Sequence, residues 1–222
     1  MHEILAEIER LGTRRSFKKH SILLYQGEAP RVAFMLKTGA VKAYTINAAG
    51  EEQIATFHTN NDIFPSPWIF GKSAVTLYYY EALVDCEVLT VDRGQLLQLL
   101  TTRPEFTAAA LDYFATNYTG LLMRVTALEQ SRARDKIMFT LYYLLFRYGK
   151  EIRPDRFTID LTLTHSVIAS LVGLTRETTT TELSRLKQEK VLEYTTRTYT
   201  VDKKKLERLL GEDSFSDVTI HS

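Results

Sequence analysis

The sequence predicts an α+β chain in three parts: an amino-terminal β-roll, one long helix, and a carboxyl-terminal winged helix-turn-helix. Three observations predict it. Between Phe17 and Val91 short apolar runs alternate with Gly, Pro and Asn roughly every ten residues, which suits a roll or barrel of short strands. From Pro104 the pattern turns helical and stays so to about Arg132. Leu163 to Leu192 then read as two short helices around a tight turn, followed by two strand-like runs.

Each element has its own warrant. The opening MHEILAEIERLG is amphipathic and charged, a surface helix rather than a signal segment. The best strand candidates are Ile22 to Tyr25, Ala33 to Leu36, Ala40 to Ile46, Gln53 to Phe57 and Glu81 to Val84. Asp92 to Leu100 reads as a short helix. Pro104 can open the long one, because a first helical position needs no N–H. Within it Leu111, Phe114, Tyr118, Leu121, Val125 and Leu128 recur in steps of 3, 4, 3, 4 and 3, a heptad seam. Such a stripe can pack on the chain's own roll or on a second copy. Leu122 and Met123 extend the apolar surface and offer the roll a separate face. The helix, at about 40 Å, is also longer than a small roll needs. Both points favour a homodimer seam.

Ser131-Arg132-Ala133-Arg134-Asp135 is a polar break. It divides a roll domain with the long helix, residues 1–130, from a winged helix-turn-helix domain, residues 131–222. Asp135 can cap the next helix, Lys136 to Tyr148, apolar at Ile137, Leu141, Leu144 and Leu145 and ended by Gly149.

Thr164 is a good N-cap, with Val167, Ile168, Leu171 and Val172 at helical spacing behind it. Gly173 stops that helix, since only glycine adopts a left-handed backbone cheaply. Leu174 packs inward, Thr175 caps the next helix, and Leu183 and Leu186 give it an apolar side. Ala169 is small enough for a close crossing. This layout places its second helix in the DNA major groove. An ordinary helical hairpin is the alternative. Val191, Leu192 and Tyr194, then Thr198, Tyr199 and Val201, favour DNA by forming a wing around Thr195 to Arg197.

Arg176, at the start of the second helix, is the first candidate for base contact, because Arg can bond guanine bidentately. Glu177 can accept from a cytosine amino group, orient Arg176, or simply stabilise the first turn. The run Thr178 to Thr181 is costly in a helix, yet its hydroxyls can bond phosphates and its methyls can touch thymine. Helical spacing turns Thr180 and Thr181 outward and Thr179 inward, with Thr178 also a candidate contact. Arg185, Lys187 and Arg197 are phosphate-contact candidates or ordinary surface charges.

Composition sets bounds. With 222 residues, 45% hydrophobic and 25% charged, the chain can build one large or two small cores. The sequence has no apolar run of membrane-spanning length, so a cytoplasmic protein with no membrane partner is expected. The single cysteine, Cys86, excludes an intramolecular disulfide, and its apolar neighbours Val84 and Val88 predict a buried, inert thiol. No nucleophile–base pair, metal-spaced cluster or phosphate loop appears, and His2, His20, His58, His165 and His221 are scattered, so an enzyme is not expected. Net charge is +1. Residues 1–130 carry 12 Lys/Arg against 14 Asp/Glu, and residues 131–222 carry 16 against 13. The sign suits DNA at the carboxyl end, although the excess is small.

The run GLTRET, with Gly173, Arg176 and Glu177, resembles the recognition-helix start of the CRP/FNR superfamily of bacterial transcription regulators, and the resemblance covers nearly the whole chain. Gly27 to Glu52 is similar to the family's cyclic-nucleotide-binding-like β-roll, with Gly39 and Gly50 at its turns. Asn61-Asp62-Ile63-Phe64 resembles the segment before the family's ligand cassette, and Asp85-Cys86-Glu87-Val88 the strand after it. The resemblance implies a homodimer joined along the long helix, a hinge at residues 131–135, a palindromic double-stranded DNA site, and RNA polymerase as a further partner. Two departures stand out: Thr181 lies where many members carry a second Arg, and Glu182 where they carry an apolar core residue.

The family's cassette uses a Glu on the ribose and an Arg–Ser/Thr pair on the cyclic phosphate. Aligned here, Ser66 replaces the Glu, and Thr76 and Leu77 replace the pair. Pro65-Ser66-Pro67-Trp68 offers no glycine for a close backbone approach. Burying the phosphate without the Arg would leave a charge uncompensated, so cAMP is not an expected ligand. The replacements are apolar and aromatic, and strand alternation puts Tyr78 and Tyr80 on one face and Tyr79 on the other. Ser66, Trp68, Phe70, Thr76, Leu77, Tyr78 and Tyr80 therefore form the candidate effector pocket, for an unknown small molecule or filled by its own side chains. Relatives without the cassette sense 2-oxoglutarate, bind haem or need no ligand. One cysteine cannot build a four-thiolate iron–sulfur cluster. His20 and His58, in strand regions, read as structural, so neither haem nor any other cofactor is expected. The functional expectation is a homodimeric, sequence-specific, cAMP-independent DNA-binding regulator. The alternative is a small-molecule-binding signalling module acting through protein partners.

Overall fold

The computed structural model describes residues 2–195, 198–211 and 215, in two compact units, Met1–Phe114 and Ala115–Ser222. The first unit opens with α1 (His2–Leu11). Strands β1 (Thr13–Phe17), β2 (Ile22–Leu24), β3 (Ala33–Thr38), β4 (Val41–Ile46), β5 (Glu52–His58) and β6 (Ile63–Phe64) follow. Then come the short α2 (Ser66–Ile69), β7 (Tyr79–Ala82), β8 (Cys86–Val91), α3 (Arg93–Thr102) and the start of α4 (Pro104–Glu129). The strands form two antiparallel sheets, ordered β1-β8-β3-β6 and β2-β7-β4-β5.

Strand β3 reads Ala-Phe-Met-Leu without alternation because both its faces are buried. Phe34 and Leu36 join Val41, Ala43, Tyr80, Ala82 and Val88 in one cluster. Ala33 and Met35 join Leu89 and Val91 in a second cluster with Ile8, Leu96, Leu100 and Phe106 from the helices. Gly39 makes the β3–β4 turn at φ +95°, where a Cβ would lie 2.5 Å from the Asp85 carbonyl oxygen. Two strand expectations shift. The strand expected at Glu81 to Val84 begins at Tyr79, so the tyrosine run enters the sheet. Strand β1, Thr-Arg-Arg-Ser-Phe, has little apolar signal because it is an edge strand, paired to β8 and exposed along most of its length.

The second unit holds the rest of α4, α5 (Ala133–Tyr148), β9 (Gly149–Arg153), β10 (Arg156–Ile159), α6 (His165–Val172), α7 (Arg176–Gln188), β11 (Leu192–Tyr194), β12 (Tyr199–Asp202) and α8 (Lys203–Leu210). Every residue of α5 from Ile137 to Phe146 is buried, as a helix covered on all sides requires. It packs on α6, α7, α8, β9 and β10. The β9–β10 hairpin is not among the sequence expectations. Its signal was Pro154-Asp155 between Ile152 and Phe157. The exposure of most of β9 hid it.

Helix α4 ends at Glu129, three residues before the expected end at Arg132. Leu111, Tyr118, Leu121, Leu122, Val125 and Leu128 are exposed on it. Phe114 is half-buried and meets Phe70 edge-on at 4.9 Å. Of the second-face pair, only Met123 is buried. Among the described residues no helix is long and apolar enough to cross a membrane.

Candidate nucleic-acid interface

Helix α6 starts where the Thr164 hydroxyl accepts from the Val167 N–H at 3.2 Å. It ends at Gly173, left-handed at φ 67°. Three residues later α7 begins, capped by Thr175, whose hydroxyl accepts from the Thr178 N–H at 3.2 Å. Ile168, Ala169, Leu171 and Val172 of α6 and Thr179, Leu183 and Leu186 of α7 are buried. That packing leaves Arg176, Glu177, Thr181 and Arg185 exposed, with Thr178 and Thr180 half-buried. Arg176 makes no hydrogen bond or ion pair with any described residue, so its five donors face solvent unclaimed.

Three of the four hydroxyls of the threonine run are already engaged, and that of Thr179 is buried without a hydrogen-bond partner among the described residues. Thr175 donates to the Thr178 hydroxyl at 2.9 Å, and Thr181 donates to the Glu177 carbonyl at 3.0 Å. The Thr180 hydroxyl lies 2.9 Å from His165 Nδ1. His165 also meets Tyr194 edge-on at 5.0 Å, and Tyr194 stacks on Tyr199 at 5.5 Å. Lys187 Nζ sits 4.6 Å from the Tyr194 ring centre. One imidazole thus touches the first helix, the recognition helix and the wing. Burial, and secondarily the Arg176 charge, hold His165 below the ordinary imidazole pKa. Sequence reading passed over His165, because its partners lie up to 34 residues away.

Glu182 lies on the buried flank of α7. Its Oε1 accepts from Arg185 Nη1 at 2.5 Å, and its Oε2 is buried without a hydrogen-bond partner among the described residues. Arg185 is therefore a claimed guanidinium with donors to spare, not a free surface charge. At the end of α7, Glu189 receives both Arg134 nitrogens, at 2.9 and 2.6 Å. That pairing raises the arginine pKa and lowers the carboxyl. Arg197 lies outside the described residues.

The seven effector-pocket candidates do not line one space. Ser66 donates to the Ile63 carbonyl at 3.1 Å. With Phe70, Leu111 and Phe114 it borders an open apolar groove of ≈ 540 Å³ beside α3 and α4. Trp68 packs on the helix-side cluster with the Arg93 guanidinium 5.4 Å from its ring centre. Thr76 is buried, and its hydroxyl donates to the Tyr25 carbonyl at 2.5 Å. Leu77 is exposed. Tyr78 packs against the inter-sheet cluster and Tyr80 is part of it. Tyr79 turns the other way, stacked on Tyr44 at 5.3 Å. Tyr80 stacks on Phe64 at 5.2 Å, and Phe64 in turn meets Phe34 at 5.4 Å and His58 at 4.7 Å. Burial holds the Tyr80 phenol well above its ordinary pKa.

The chain matches the family model of the cyclic nucleotide-binding domain over residues 14–103 and that of the Crp-like helix-turn-helix domain over residues 137–209. It is 28% identical over 190 residues to a global nitrogen regulator of Nostoc sp., spanning 85% of this chain and 84% of the relative. It is 25% identical over 180 residues to the fumarate and nitrate reduction regulatory protein of Vibrio cholerae, spanning 81% and 70%. A solved structure of a CooA mutant from Carboxydothermus hydrogenoformans shares the fold, with TM-score 0.75 at 21% identity over 92% of this chain and 90% of that one.

Proposed function

Given that the chain belongs to the CRP/FNR superfamily of DNA-binding transcription regulators, we propose that it acts as a homodimer reading a palindromic site without cAMP. The observation that carries this reading is the outward face of α7. Arg176 stands at its start, unpaired among the described residues, beside Glu177, Thr178, Thr180 and Thr181. Arg185 contributes its remaining donors to phosphate.

The dimer reading is supported by the apolar stripe of α4. Leu111, Tyr118, Leu121, Val125 and Leu128 keep between 42% and 66% of their surface exposed, which a second copy would remove from water. Pairing along that stripe, with Phe114 at its upper end, would set two recognition helices about one DNA turn apart. Residues 131–135 form the hinge between the sensor and the DNA-binding domain, and the protein works in the cytoplasm.

The cAMP-independent reading is supported by where the cassette's replacements point. The Ser66 and Thr76 hydroxyls donate to backbone carbonyls, Leu77 has no group for a phosphate, and aromatic rings stack beside Tyr80. These residues do not fit a cyclic phosphate. In this reading side chains fill the former pocket. No cofactor is assigned: Cys86 is buried, and that burial pushes its thiol up to about 11, away from the thiolate a metal needs.

Fluorescence-anisotropy selection from a randomised palindromic duplex library, with and without cAMP at fixed salt, tests both halves. Selection of one symmetric site, unchanged by cAMP, is the expected result. Failure to select any site overturns the DNA reading, and a strong cAMP effect overturns the account of the pocket.

A further inference from the structure

The long helix and the first helix of the helix-turn-helix are joined by a buried cation. Arg124, in the lower part of α4, is 6% exposed. Its Nη2 donates to the carbonyl oxygen of Leu171, the next-to-last residue of α6. Carbonyls in a helix's last turn have no partner within the helix, and they carry the negative end of its dipole. The guanidinium thus meets a group that needs both a donor and a positive charge. Desolvation lowers the Arg124 pKa, while Tyr143 and Tyr148 on α5 act in the opposite direction.

The surroundings leave little slack. Met123 and Ala127, flanking Arg124 on α4, are each 1% exposed. One turn earlier, a Cβ on Gly120 would lie 2.8 Å from Arg147 Cδ, so α4 passes α5 closely. From Leu171 the chain runs through the left-handed Gly173 to the Thr175 cap and then Arg176, five residues on. Val125 and Leu128 stay exposed on the same stretch of α4. One segment therefore carries both the proposed dimer stripe and the anchor of the reading head.

We propose that Arg124 is a positioning residue for DNA recognition: it fixes the helix-turn-helix to the long helix and so sets the separation of the two recognition helices. This rests on the homodimeric reading above. A planar guanidinium suits the role better than an ammonium, because its donors are held in a fixed fork.

The test uses the full chain and the palindrome selected from the random library, with the half-site spacing varied one base pair at a time. Wild type should prefer one spacing over its neighbours by about tenfold or more, and Arg124→Met should bring the ratio to about threefold or less. Arg124→Lys, which keeps the charge and an N–H donor group but not the planar fork, should restore part of the preference. Circular dichroism melts identify a variant that fails to fold, and Arg124→Lys then decides alone. Wild-type spacing preference in a folded Arg124→Met, or in Arg124→Lys where Met fails to fold, overturns the role of Arg124 and leaves the dimer reading intact. A wild-type protein indifferent to spacing overturns both.

Discussion

The segment of the first unit aligned with the ligand cassette and the outer face of α7 are both places where this family handles ligands, and this chain treats them in opposite ways. In the first unit the Thr76 and Ser66 hydroxyls turn to backbone carbonyls, of Tyr25 and Ile63, and the rings of the inter-sheet core stack on one another. On α7, Arg176 is held out with no partner among the described residues, while Thr179 and Leu183 anchor the helix beneath it. A hydroxyl whose proton is already given to the backbone keeps only acceptor capacity, which suits no anion, whereas the Arg176 guanidinium, unclaimed among the described residues, keeps its five donors. The difference teaches that two regions to which the resemblance gives the same ligand-handling role can differ in how far their polar groups are already satisfied.

The largest expected effect tests whether the open face works in pairs. Leu121→Glu with Val125→Glu should yield monomers in sedimentation and weaken palindrome binding by about 10²–10⁴-fold, the avidity of two joined modules. A dimer that survives would show that the stripe is not the seam. Next comes the proposed closure of the roll pocket. Tyr80→Ala should cost about 3–5 kcal/mol of stability, read by denaturant melts, because it removes a ring packed on Phe64 and His58. If stability holds and a ligand response disappears instead, the pocket is not closed. Arg176→Ala should cost about 1–3 kcal/mol of binding and relax one base pair per half-site. An equal loss on every sequence would demote Arg176 to a phosphate contact.

The smallest expected effect is a pH dependence. His165 is held below its ordinary value of 6.5. Above that value both folded and unfolded chains carry the neutral ring. As the pH falls below it, the unfolded chain takes up the proton first, so stability drops until the pH passes the lower folded value. DNA phosphates would favour the proton instead, so binding should take protons up. Melting temperatures at about pH 7.5 and about pH 5.5 should differ more for wild type than for His165→Asn. Identical differences would remove His165 from the account.

Legibility followed the distance over which a residue finds its partners. Thr164, Gly173 and Thr175 act within four residues, and α6 begins and ends, and α7 begins, where those residues set them. Tyr78, Tyr79 and Tyr80 alternate as strand geometry demands, although the strand begins two residues earlier than its apolar run suggested. Among the candidate pocket residues, Tyr78 and Tyr80 go with the inter-sheet core, and Ser66, Trp68 and Phe70 with the side facing α3 and α4. Periodicity gives a residue's face but not the neighbour across it. Glu182 is the clearest case. Its burial is explained in part by Arg185 three residues on, and the state of its second oxygen is visible only in three dimensions.

The order of the second unit's sheet, β11-β12-β10-β9, bears on how this part of the molecule opens. Strand β12 is hydrogen-bonded on both sides, and its partner β10 lies some forty residues earlier, with α6 and α7 strung between them. The reading head is thus a closed loop clasped by backbone pairing. Its wing cannot peel away without breaking the clasp. Amide protons of Tyr199 and Val201 should then exchange with solvent at the same slow rate as those of α5, marking the hairpin, both short helices and the central helix as one cooperative unit of unfolding.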